Sequence, residues 1–251
     1  MAYIGWFREL SYGLLDLCMP VSCLLCGSNV ETAQQRNPLC FDCSEDLPVF
    51  EGTNCYLCAK PIGSHPPPEN RSPSAIVCGQ CRTRDLILER TFGGFRYEGT
   101  IRRVIQDWKF GAHPEWGEWL VKSLTSQLPR EELTDWDGFV PIPLRPERKQ
   151  KRGFNQAEQL ADGLAEVYSL PIFDELIKTR STEPQARLKR SERIENLKGV
   201  FDIKDPSPCS GRSLLLVDDI YTTGSTLSSA GEVLKQAGVE RIGAVVLARA
   251  V

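Results

Sequence analysis

The chain has 251 residues, of which 25% are charged and 41% hydrophobic, and its formal net charge is −3. That balance excludes a disordered chain and a uniformly basic nucleic-acid coat, while leaving room for local basic patches. The length accommodates one α/β domain of ordinary size together with a smaller module.

The first twenty residues place Ile4, Phe7, Leu10, Leu14 and Leu17 on one helical face, so an amphipathic helix over 1–20 that packs on the rest of the protein is expected. Arg8, Glu9 and Asp16 break the apolar character. No basic leader with an apolar centre precedes them, and the segment does not read as a signal peptide. No stretch is long and apolar enough to span a membrane, and a cytoplasmic location is expected.

Eight of the ten cysteines form four Cys-x-x-Cys pairs: Cys23/Cys26, Cys40/Cys43, Cys55/Cys58 and Cys78/Cys81. Thirteen, eleven and nineteen residues separate successive pairs. One such knuckle sets two thiolates on a zinc ion and a second completes the tetrahedron. A disulfide framework would need an exported chain, and redox chemistry suits one pair rather than four in a row. Two structural zinc ions paired in sequence order are expected, one on Cys23, Cys26, Cys40 and Cys43, the other on Cys55, Cys58, Cys78 and Cys81. A cross-brace pairing also fits the spacing. Closed four-cysteine sites stabilise and do not catalyse. The segment has few large apolar residues, so metal would supply its folding energy. This ribbon module is placed at 21–85. Inside it, Ser64-His65-Pro66-Pro67-Pro68 opens an exposed proline-rich loop in which His65 is solvated. Cys18 and Cys209 are expected to bind no metal.

From residue 86 to 251 the pattern is that of an α/β domain. Phe92–Tyr97 reads as a strand. Gly99–Lys109 reads as a helix with Ile101, Val104, Ile105 and Trp108 on one face, and Glu115–Leu128 as a second helix. His113, between them, is weighed as a base against an ordinary surface histidine. Phe139–Pro143 is a short extended run. A basic loop with Arg145, Arg148, Lys149, Lys151 and Arg152 follows, opposed only by Glu147, and then a helix over Phe154–Val167. The polar segment from Thr179 to Gly199, interrupted by Pro184, has the size of a lid or binding loop.

Leu214-Leu215-Leu216-Val217 reads as a strand buried on both faces. Asp218 and Asp219 follow where that strand is expected to end, and Thr222-Thr223-Gly224-Ser225-Thr226 opens a helix over Leu227–Ala237. Ligands of open α/β sheets bind beyond the carboxyl ends of strands. Amides at a helix start make an anion site, and Gly224 permits close backbone approach. The acid pair can accept from vicinal hydroxyls or hold magnesium. Neither a Walker loop nor a dinucleotide Gly-x-Gly-x-x-Gly occurs in the chain. A molecule with a phosphate, a sugar diol and a hard cation satisfies the whole set.

LLLVDDIYTTGST resembles the phosphoribosyl pyrophosphate (PRPP) motif of type I phosphoribosyltransferases. The resemblance implies that Asp218 and Asp219 hold the ribose hydroxyls and that Thr222, Thr223, Gly224, Ser225 and Thr226 surround the 5′-phosphate. It implies a mainly parallel sheet flanked by helices. It also implies a pyrophosphate loop at Pro143, Leu144 and Arg145, aided by Arg152 and Gly153, and a lid with Gln185, Arg187 and Arg193.

Lys109-Phe110-x-Ala, Val-Pro-Ile-Pro-Leu (140–144), Lys-Arg-Gly-Phe-Asn-Gln (151–156) and Thr-x-Pro-Gln (182–185) lie, in that order, between the cysteine ribbons and the Asp-Asp motif. Together they resemble the competence protein ComF family in its double-ribbon form, over nearly the whole chain. The family is linked to DNA uptake in natural transformation. The resemblance implies a magnesium-dependent transferase acting on PRPP, with an acceptor that no motif names. A second reading is a module that associates with single-stranded DNA or the DNA-uptake machinery and takes PRPP as a regulatory ligand. In that reading Phe41, Phe50 and Tyr56 are candidates for base stacking, against core packing as the plainer role.

Overall fold

The computed structural model describes residues 22–30, 37–65, 74, 76–84, 86–111, 113, 115–179 and 199–250. The amino-terminal helix expected over 1–20, Cys18, and the lid residues Gln185, Arg187 and Arg193 lie outside the described residues. No described helix is long and apolar enough to cross a membrane.

The ribbon region contributes a short helix α1 (Phe41–Glu45), the antiparallel strands β1 (Thr53–Asn54) and β2 (Pro61–Gly63), and a helical turn α2 (Gly79–Arg82). There follow β3 (Arg90–Arg96), α3 (Gly99–Phe110), α4 (Trp116–Thr125), α5 (Arg130–Leu133), β4 (Gly138–Pro141), α6 (Pro146–Arg152) and α7 (Gln156–Tyr168). The chain ends with β5 (Leu176–Lys178), β6 (Phe201–Ile203), β7 (Ser213–Tyr221), α8 (Ser225–Gln236) and β8 (Arg241–Arg249). Strands β3-β8-β7-β4, in that spatial order, form a parallel sheet, while β5 and β6 pair antiparallel beside it.

The aliphatic run of β7 is buried on both faces, as its lack of alternation requires. Leu215 and Val217 face a layer built from α3, α4 and α7, where Ile101, Val104, Trp108, Leu120, Leu124, Leu160 and Leu164 are buried. Leu214 and Leu216 face the opposite layer, with Leu227, Ala230 and Leu234 of α8, and Leu176 and Phe201 of β5 and β6. The buried indoles are satisfied: Trp108 Nε1 donates to Gln159 Oε1 at 3.0 Å and Trp116 Nε1 to Asp107 Oδ2 at 2.7 Å.

Both sheet edges are covered by irregular chain. On the β3 side, Arg96 N donates to Pro48 O at 2.8 Å, Thr91 N to Tyr56 O at 3.1 Å and Thr91 Oγ1 to Leu57 O at 2.8 Å. Ribbon residues thus take up the outward groups of the edge strand. Gly93 lets them approach, since a Cβ there would lie 2.8 Å from the Phe50 ring. On the β4 side, Phe139 N donates to Pro171 O at 2.9 Å and Phe173 N to Phe139 O at 2.8 Å.

Two expectations are corrected. The basic stretch 146–152 is helical, because Pro146 stands at the start with its φ already set and a run of long unbranched side chains follows. Strand β7 does not stop before the acids but runs on to Tyr221, because β8 is equally long and continues to pair with it, Asp218 opposite Val246 and Tyr221 opposite Arg249.

Asn155 fixes the start of α7. Its side chain accepts from Ala157 N at 3.1 Å and donates through Nδ2 to Ile142 O at 3.0 Å, in a buried spot. Replacing it with alanine removes a helix cap and leaves a buried carbonyl unpaired. Asn155→Ala is expected to lower stability by about 1–3 kcal/mol in urea titration; a change below about 0.5 kcal/mol would contradict this role.

Candidate functional site

The acids are consecutive residues in the carboxyl-terminal half of β7, still within the sheet. Asp219 Oδ2 sits 2.5 Å from Lys109 Nζ, at the end of α3, with both side chains mostly enclosed. Asp218 Oδ1 accepts the backbone N–H of Asp219 at 2.9 Å. Burial, and then the neighbouring Asp219 charge, push the Asp218 carboxyl up to about 7; the Asp219 amide, Lys109 and Lys178 oppose the shift. Two adjacent carboxylates in a water-poor position raise one pKa in this way.

A set of cations surrounds the pair. Lys178, at the end of β5, is held below its ordinary pKa by burial, with Arg148 and Arg145 adding to the depression and Asp218 opposing it. Arg152 is similarly depressed by burial, with Asp219 opposing the shift and Arg148 adding to it. Its guanidinium lies 5.1 Å from the Phe110 ring centre and donates to Gln156 Oε1 at 3.1 Å. Arg145 lies 3.7 Å from Glu147. Pro143 and Leu144 lead out of β4, whose Pro141 pairs with Val217, so this loop starts level with the acids. Gly153 ends α6 with a φ of +82°.

The hydroxyl-rich turn joins β7 to α8. Gly224 has a φ of +82°, and a Cβ there would collide with the Tyr221 hydroxyl, so this position accepts only glycine without rearrangement. Thr223 Oγ1 and Ser225 Oγ are 2.7 Å apart, and Ser225 N donates to Thr223 Oγ1 at 3.4 Å. Thr222 is exposed, Thr223 and Thr226 are half-buried, and Ser225 is buried. The turn thus presents the start of a twelve-residue helix beside the acid pair, an arrangement that favours an anion.

The structure brings together the acids, the turn, the loop after β4 with Arg145, and Arg148 and Arg152 of α6. It adds two residues that sequence reasoning did not assign to the site, Lys109 and Lys178. Lys109 belonged to a quoted motif without a role, whereas Lys178 had no local signal. His113 is elsewhere engaged: its Nδ1 lies 2.7 Å from Glu115 Oε1 on an exposed surface, and that hydrogen bond raises its pKa. Tyr56 and Phe50 pack within the fold, Tyr56 under Arg90 at 4.2 Å and Phe50 against Gly93, while Phe41 is exposed. His65 is exposed. Cys209 is buried, with its thiol pushed up to about 11 by burial and then by Glu175.

The eight knuckle cysteines form two clusters, Cys23-Cys26-Cys40-Cys43 and Cys55-Cys58-Cys78-Cys81, with sulfurs in each within 4.8 Å of one another. This is the sequence-order pairing; the cross-brace arrangement is excluded. Sulfur separations of 3.6 Å (Cys26–Cys40) and 3.8 Å (Cys58–Cys78) suit tetrahedral ligands about 2.3 Å from zinc. Without a cation the thiols compete for charge. A hydrogen bond from the Ser28 side chain, ahead of other contacts, draws Cys26 down to about 6, while burial pushes Cys43 up to about 12. The hydrogen bond between Cys55 and Cys58 draws Cys55 down to about 4 and drives Cys58 up. A divalent ion removes the conflict by letting all four ionise.

Residues 14–83 match the double zinc ribbon domain, and residues 150–250 match the phosphoribosyl transferase domain. The chain therefore joins a Cys₄ double ribbon to a phosphoribosyltransferase-type α/β fold. It is a homologue of the ComF proteins. It is 29% identical to competence protein ComFC of Bacillus subtilis, covering 86% of this chain and 89% of that one. It is 28% identical to competence protein F of Haemophilus influenzae, covering 91% and 96%. To the DNA utilization protein YhgH of Escherichia coli it is 27% identical, covering 90% and 96%.

The raised Asp218 pKa carries a stability sign. The folded state holds this proton more tightly than the unfolded chain, whose carboxyl titrates near 3.8. Stability is therefore lost as pH rises from about 4 to about 7. Asp218→Asn removes the enclosed charge and is expected to raise the melting temperature at pH 8, by about 2–4 °C for each kcal/mol relieved. The gain should shrink to about a third at pH 5 and vanish near pH 4. Melting curves at these pH values check this, and a gain independent of pH would refute it.

Proposed function

We propose that the protein binds PRPP with magnesium and transfers its phosphoribosyl group to an acceptor. The observation that carries this reading is the enclosed acid pair, met on one side by Lys109, Lys178 and the arginines and on the other by the Gly224 turn. Asp218 and Asp219 accept from the ribose 2′- and 3′-hydroxyls. The turn of Thr222, Thr223, Gly224, Ser225 and Thr226 donates amides and hydroxyls to the 5′-phosphate. Pro143, Leu144, Arg145, Arg152 and Gly153 hold the pyrophosphate, where the basic groups offset the charge that grows on the departing group. Gln185, Arg187 and Arg193 are assigned to a lid that keeps water from the reacting carbon.

Carboxylate oxygens suit a hard cation, and Asp218 is the better placed to reach one, since Lys109 occupies Asp219. Magnesium, when bound, neutralises the pyrophosphate oxygens. The eight cysteines carry the two zinc ions and hold the ribbon at 21–85 against the transferase domain at 86–251. The names of the relatives support a role in DNA uptake or DNA utilization. The cations around the acids support the second reading, in which single-stranded DNA is the partner and PRPP only regulates. Pyrophosphate release separates the two.

Isothermal titration of the zinc-loaded protein with magnesium and PRPP tests the reading. Saturable binding that needs magnesium is expected, weakened about a hundredfold or more when Asp218 and Asp219 are both replaced by asparagine. An unchanged affinity in that variant refutes the assignment. Screening ammonia, free bases and DNA for pyrophosphate release then distinguishes transfer from binding alone.

A further inference from the structure

Arg249, the last residue of β8, has only 6% of its surface exposed. Its guanidinium is satisfied by main-chain carbonyls from three parts of the chain. Nε donates to Cys58 O at 2.9 Å. Nη1 donates to Tyr221 O at 3.1 Å, to Thr222 O at 2.8 Å and to Ala250 O. The guanidinium carbon also lies 4.6 Å from the Tyr221 ring centre. One side chain thus joins a carbonyl of the second cysteine cluster to the carbonyls that open the phosphate turn.

Tyr221 reinforces the connection. It is 5% exposed and packs in the same core as Cys55, Cys58, Cys78 and Cys81. Its hydroxyl fills the space that the missing Cβ of Gly224 leaves. The first cluster has no such route, since Cys23 and Cys40 pack into the opposite core layer with Phe95 and Ile101.

We infer that Arg249 is a positioning residue that couples metal in the Cys55-Cys58-Cys78-Cys81 cluster to the shape of the Thr222–Thr226 turn. Metal on the knuckle sets where the Cys58 carbonyl points. A buried guanidinium that loses this acceptor must find another or move, because an unpaired buried cation is costly. Moving it releases the Thr222 carbonyl, leaves the Tyr221 carbonyl with the Ala250 amide, and loosens the turn. By linkage, a ligand that orders the turn strengthens metal retention in this cluster and not in the first. PRPP as that ligand rests on the function proposed above; the coupling of turn to metal does not.

The test uses the zinc-loaded full chain and three variants: Arg249→Lys, Cys81→Ser and Cys43→Ser. Lysine keeps the charge but cannot reach both sets of carbonyls in fork geometry. Arg249→Lys is expected to retain two zinc ions per chain while the amides of the Thr222–Thr226 turn exchange hydrogen about tenfold faster. Cys81→Ser should produce the same acceleration, and Cys43→Ser should leave those amides as in the unsubstituted protein. Saturating PRPP should slow chelator capture of one of the two zinc ions, and Arg249→Lys should abolish that protection. Unchanged exchange in the fully metallated Arg249→Lys protein overturns the coupling, as does equal acceleration by both cysteine variants. Faster exchange in Arg249→Lys and Cys81→Ser without any PRPP binding leaves the coupling standing and removes the function proposed above.

Discussion

Two carboxylates on neighbouring residues, at the exit of a strand buried on both faces, cannot both carry charge without help. Much of the structure around them supplies that help. The end of α3 delivers Lys109 to Asp219, and the end of β5 delivers Lys178 towards Asp218. The α6 arginines crowd the same space and depress one another's neighbours. This crowding of like charges on each side has no use in a folded protein as such. It suits a ligand that carries several negative charges and a cation of its own.

The ribbon half faces the same problem with a different solution. Four thiols within a few ångströms cannot all ionise, and their pKa values are driven apart until a metal takes the charge. The metal then stabilises a segment that has little apolar core. That segment lies along the outer side of β3, where its carbonyls take up donors of the edge strand. Metal binding and sheet edge are therefore parts of one folding problem rather than two adjacent ones.

Much of this was legible in the chain itself, and the boundary of legibility has physical causes. The four knuckles, the aliphatic run of β7 and the amphipathic faces of α3, α4 and α7 are local patterns, and each appears where periodicity or spacing put it. The residues of α6 read as loop because their charge masks good helix formers behind Pro146. Strand β8 carries an apolar run, Ile242–Ala248, rich in glycine and alanine, which dilutes its β-branched signal. The end of β7 is not encoded in its own residues, because only its partner strand extends it past the acids. Lys178 and Arg249 act through contacts with residues far away in sequence, which no local pattern encodes.

The cover over β3 also bears on how such a chain can be divided. A fragment beginning after the fourth knuckle would present the amides of Thr91 and Arg96, and the open face of Gly93, to bulk water. Parallel strands with bare rims seek other strands, so the severed α/β domain would pair with copies of itself and come out of solution. Evolutionary loss of the cysteines therefore demands a substitute rim before it can be tolerated.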